Sequence, residues 1–72
     1  MPLFIIGTNE DVIIQKIGGN EKEKNHLMSM GFVVGEKIKV DNKIDYDVIV
    51  IVKGNKMALG KDMAKRIIVS LK

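Results

Sequence analysis

The chain predicts a mainly β fold, a small closed barrel of five or more short antiparallel strands with one short helix. Three features of its 72 residues lead there. Short runs rich in valine and isoleucine recur between closely spaced turn residues, which argues a barrel rather than a sandwich. Residues 21–30 carry helix signals at both ends. There is no cysteine, so neither a disulfide nor a cysteine-held metal supplements the core. A chain of this length buries only roughly 60% of its unfolded surface, so it needs compact closure or a partner. One domain, residues 1–72, is expected.

In chain order, residues 4–6 read as a short extended lead-in and 7–10 as a turn. Residues 12–17 are β-branched between turn residues and form the first substantial strand, ended by Gly18-Gly19. Asn20 suits an N-cap, and Glu23 three positions later completes a capping box. The helix that follows is too short to stand alone. It must dock Leu27, with Met28, Met30 or both, on the sheet.

The stretch from His26 to Val40 organises the rest. Gly31 falls where a helix end needs a left-handed residue, which places Leu27 and Phe32 at the two positions that touch in a Schellman turn. Gly35 reverses the chain again, and residues 36–40 alternate polar and apolar as a half-buried strand does. Residues 41–46 read as a polar turn, 47–53 as the third strand, and 53–56 as a hairpin turn around Gly54. Residues 57–59 are the fourth strand, 60–65 one helical turn, partly 3₁₀, and 66–70 the last strand.

This layout has an aliphatic excess. If Val48, Val50 and Val52 point inward, Ile49 and Ile51 point outward, and Ile67 and Val69 inward likewise leave Ile68 outward. Each large aliphatic forgoes about 1.5–3 kcal/mol unless something covers it. Either residues 3–6 and the helix cover that face, or another polypeptide does.

Residues for chemistry are scarce. The net charge of +3 comes from eleven lysines and one arginine against nine acids, with the signs mixed along the chain. That is an ordinary solvated surface, poor in the bidentate forks that favour phosphate. His26 is the only histidine and has no companion ligand. Asp41, Asp45 and Asp47 cluster in a turn without EF-hand spacing. Ser29 and Ser70 lack a base, and no phosphate-binding glycine motif occurs. Met28, Met30, Met57 and Met63 read as core filler rather than metal ligands. Arg66 either pairs with a carboxylate or donates its charge to a phosphate in a partner's site. The expectation is a protein that is not an enzyme, with no catalytic, cofactor or metal residues. No leader-like start or membrane-length apolar run appears, and the lack of cysteine fits a reducing cytoplasm.

One layout of motifs is informative as a whole. A strand ends in glycine (Ile14-Gln15-Lys16-Ile17-Gly18-Gly19), then a leucine and glycine turn follow (Leu27-Met28-Ser29-Met30-Gly31-Phe32-Val33-Val34-Gly35), then Glu36-Lys37-Ile38-Lys39-Val40. Residues 48–52, Gly54-Asn55-Lys56-Met57-Ala58-Leu59, Ala64 and Ile67-Ile68-Val69 close the chain. Over most of its length it resembles the FeoA family of small cytoplasmic proteins of ferrous iron uptake. It departs in having Val34 where the family often has proline, and Lys24-Asn25-His26 and Gly60 where arginines are common. The resemblance implies an SH3-like barrel and a non-catalytic adaptor for the cytoplasmic GTP-binding domain of the membrane iron transporter. The same fold closes iron-dependent repressors, so a standalone regulatory module is an alternative.

The expected contact residues are Phe32, Val33 and Val34 at the corner, with Ile49, Ile51 and Ile68 on the outer sheet. A second copy of the chain is the other occupant that such a face allows, and direct membrane insertion is not expected. The rival from another class is a nucleic-acid-binding barrel. Only Phe4, Phe32 and Tyr46 are available for stacking, so that platform is thin.

Overall fold

The computed structural model describes residues 1–72. Five strands form one antiparallel sheet in the order β4-β3-β2-β1-β5. They are β1 (Glu10–Ile17), β2 (Lys37–Ile44), β3 (Asp47–Val52), β4 (Asn55–Leu59) and β5 (Ile67–Leu71). Helix α1 (Glu21–Ser29) joins β1 to β2, and α2 (Lys61–Arg66) spans from β4 to β5, the two edges of the curled sheet. All fifteen buried residues are hydrophobic and form one cluster.

The alternation sorts as the period of two requires. Val48, Val50, Val52, Ile67 and Val69 are buried, while Ile49, Ile51 and Ile68 lie on the other face, half-buried. The chain's start does not cover that face with Leu3 and Ile6, because both belong to the core. Residues 3–6 are also not an extended lead-in. Leu3–Ile5 is a 3₁₀ turn closed by Ile5 N–H to Pro2 O at 3.2 Å and Ile6 N–H to Leu3 O at 3.1 Å. Turning there drives Leu3 under the barrel end, and that burial outweighs the β preference of the isoleucines. The first two residues line β5 instead. Val69 N–H donates to Met1 O at 2.7 Å, and the Met1 amine donates back to Val69 O at 3.1 Å.

A second correction concerns residues 41–46. Strand β2 continues to Ile44, and only Asp45-Tyr46 turns, with Asp45 at φ 55°. Asn42, Lys43 and Ile44 pair with Ile49, Val48 and Asp47 across a register shift at Asp41. Their polarity argued a loop, but ladder hydrogen bonds are made by backbone, and a bulge lets a polar strand end twist into water. The next hairpin is a two-residue turn, Lys53-Gly54, with both φ positive at 51° and 79°. Helix α2 is α-helical, with Ala64 N–H on Gly60 O at 3.0 Å.

Helix α1 forms as its end signals dictate. Asn20 Oδ1 accepts from Glu23 N–H at 2.8 Å, and Glu23 Oε1 accepts from Asn20 N–H at 2.9 Å, completing the capping box. At the other end Phe32 N–H reaches Leu27 O at 3.1 Å and Gly31 N–H reaches Met28 O at 3.0 Å, with Gly31 at φ 100°. That is the Schellman pattern, and Leu27 and Phe32 are both fully buried.

Arg66 takes the structural role. Its Nη1 lies 3.5 Å from Glu23 Oε2, and its carbonyl accepts from Gly18 N–H at 2.8 Å, tying the end of α2 to the start of α1. Gly19 sits beneath this clasp at φ 108°, where a Cβ would fall 2.7 Å from Glu23 Oε1 and 3.2 Å from Arg66 Cδ. Glu23 is held by the capping box as well as by Arg66, so it has little freedom to yield. Gly19→Ala is expected to cost about 1–2 kcal/mol from backbone strain alone. A fall of roughly 4–16 °C in the circular dichroism melt is the corresponding readout. An unchanged melt would show that the left-handed backbone at position 19 relaxes without cost and that the clasp yields to the added methyl.

Candidate docking groove

The site is built where three elements meet at the end of β1. Gly35 at φ 91° folds the corner back, so that Gly35 N–H donates to Ile14 O at 2.8 Å and Ile14 N–H to Glu36 O at 3.0 Å. This lays residues 32–34 beside the last turn of β1. On helix α1, Leu27 points into the core, and the adjacent stripe at spacing i, i+4 presents Lys24 and Met28 to the same side.

Between them runs a groove of about 390 Å³, lined by Gln15, Lys16, Ile17, Lys24, Met28, Phe32, Val33 and Val34. Met28 and Val34 are 55% and 65% exposed. No carboxylate lines it. The ion pairs of the chain are Lys53–Glu36, Lys56–Asp41 and Arg66–Glu23, so Lys16 and Lys24 stand on the rim unpaired. The Gln15 amide donates to Ser70 Oγ at 2.8 Å, bracing β1 against β5. An apolar trough with a positive rim can hold an apolar side chain and carboxylates beside it. No group of three or more side chains able to hold a metal ion comes together, and His26 lies exposed on α1.

Of the residues expected from sequence, Phe32, Val33 and Val34 come together here. Phe32 is fully buried and forms the floor, so it shapes the groove without offering surface to a partner. Ile68 stands across from Lys16 in the β1–β5 register, next to the rim. Ile49 and Ile51 are on β3, separated from β1 by β2, and have Asn42, Ala58, Lys39 and Lys56 as cross-strand neighbours. The long lysine stems shelter part of that surface. Met28, expected in the core, is outside it, whereas Met30, Met57 and Met63 do pack against the core. The helical spacing Lys24–Met28 was the available signal: with Leu27 inward, Met28 lies about 100° round the helix.

Comparison with known proteins agrees with this architecture. The family model described as the FeoA domain matches residues 1–71. A Methanocaldococcus jannaschii protein named Fe(2+) transport protein A is 35% identical over 68 residues, covering 94% of this chain and 83% of that protein. The crystal structure of an iron uptake regulatory protein, FeoA, superposes with TM-score 0.91 at 31% identity, covering 99% of this chain and 95% of that one. The T. acidophilum IdeR structure shares the fold at TM-score 0.89 and 20% identity, with this chain spanning 34% of it. With the barrel, the helix and the glycine corner in place and the match running from residue 1 to residue 71, the chain belongs to the FeoA family.

Proposed function

We propose that the chain is a non-catalytic, cytoplasmic accessory protein of ferrous iron transport that docks on the GTP-binding domain of the membrane transporter. The observation that carries this reading is the apolar groove with Met28 and Val34 exposed beside two unpaired lysines. The name borne by the M. jannaschii relative supports the process. No helix of the chain is long and apolar enough to cross a membrane. Docking alters the transporter only through differential affinity for its conformations, since occupancy without a preference shifts nothing.

The test is direct binding of the purified chain to the immobilised G domain, with and without guanine nucleotide. Saturable binding is expected. A short oligonucleotide run beside it at low salt tests the nucleic-acid alternative. Absence of G-domain binding at the highest concentration, or oligonucleotide binding that collapses steeply with salt, overturns the proposal.

A further inference from the structure

The β2–β3 hairpin tip is the complement of the groove. Tyr46 is 70% exposed and is bracketed by Asp45 and Asp47, neither of which is in an ion pair. Its one cationic neighbour is Lys61, whose Nζ lies 5.4 Å from the ring centroid. The groove offers the opposite set: an apolar trough bracketed by the free ammonium groups of Lys16 and Lys24. The two cannot meet within one molecule. Strand β2 starts opposite Ile13, passes Glu10 at Val40 and runs on to Ile44, so the tip projects beyond the start of β1. The groove lies at the other end of that strand, around Gln15–Ile17.

We infer that a second copy of this chain is an occupant of the groove, its Tyr46 entering the trough while Asp45 and Asp47 face Lys16 and Lys24. The contact is head to tail. Each molecule keeps a free tip and a free groove, so the assembly grows with concentration rather than stopping at a two-fold dimer. Aromatic anchors in apolar pockets with charged rims are where interface energy concentrates. Nucleic acid fits this groove poorly, because its one ring, Phe32, is buried and has no face on which a base can stack.

The inference rests on the groove being a docking surface, and it adds that self-association and transporter binding exclude one another there. The experiment uses light scattering on the full chain over a wide concentration range, with two charge-reversal variants. One is Lys16→Glu with Lys24→Glu; the other is Asp45→Lys with Asp47→Lys. Lysine tolerates the backbone of position 45, since Lys53 already adopts φ 51° in this fold. Tyr46→Ser, at an exposed position, is a third variant that leaves charge untouched.

The apparent mass of the wild type should rise with concentration. Each variant should need about tenfold more protein, or beyond, to show the same rise. An equal mixture of the two charge variants should associate again, because the reversed tip meets the reversed groove and the native tip meets the native groove. A wild type that stays monomeric throughout, variants that associate as it does, or a mixture that stays apart each overturn the inference. G-domain binding is read separately. Self-association without G-domain binding refutes the proposed function alone, and G-domain binding by a strictly monomeric chain refutes this inference alone.

Discussion

Phe32→Ala should remove about 3–5 kcal/mol of unfolding free energy, the range for deleting a buried phenylalanine. A 72-residue domain has on the order of 4–11 kcal/mol in total, so the variant should be largely unfolded or melt far below the parent. The side chain is fully exposed to loss because of where it sits. It lies in the same core cluster as Leu27, its N–H closes the Schellman turn on Leu27 O, and it floors the groove. Helix α1 has Leu27 as its one buried residue, so removing the partner of Leu27 frees the helix as well. Urea denaturation followed by far-ultraviolet circular dichroism reads the effect. A loss under about 1 kcal/mol would show that α1 and the corner collapse onto the vacancy, and that the Leu27–Phe32 contact is not what anchors them.

Val34→Asp is the functional counterpart. Val34 is 65% exposed, so its replacement should leave stability within about 0.5 kcal/mol of the parent. In the groove the effect is large. A carboxylate there loses the apolar wall, neutralises the lysine rim and repels an acidic occupant. Binding to the G domain should weaken at least tenfold, about 1.4 kcal/mol. Titration of the immobilised G domain with folded variant is the measurement. Undiminished affinity would move the docking surface elsewhere, with the half-buried Ile49 and Ile51 on β3 as the next place to probe.

Strong local chemistry is legible in the residue order itself. Asn20 with Glu23, Gly31 with Leu27 and Phe32, and Lys53-Gly54 each specify a geometry through residues a few positions apart. The capping box and the Schellman turn are present as expected, while the reversal at Gly54 is tighter than the expected 53–56, because Asn55 and Lys56 already pair with Val52 and Ile51. Alternation in residues 48–52 and 67–69 likewise reported which side chains face inward. Weak or contrary local signals misled. Asn42 and Lys43 look like loop, and Phe4-Ile5-Ile6 look like strand, yet pairing with β3 and burial of Leu3 decide both.

The candidate site was half legible. Phe32, Val33 and Val34 belong to one corner and were found together, because the glycines on either side define that corner. Lys24 and Met28 share one stripe of α1, but nothing local joins them to Lys16 or to the corner, because no short stretch says that β1 and α1 frame one trough. Ile49 and Ile51 were grouped with the corner on exposure alone, which carries no information about distance.

What the residue order determined by itself is the set of local events: where α1 begins and ends, where the hairpin reverses, and which faces are apolar. These depend on backbone strain and on hydrogen bonds within a few residues. What only the tertiary structure decided is which exposed groups share a surface: Met28 with Val34 between two free lysines, and Tyr46 between two free carboxylates at the far end of the barrel. Sheet order and strand register set those neighbourhoods. They are fixed by closing one core from the whole chain, a condition that no short stretch of sequence contains.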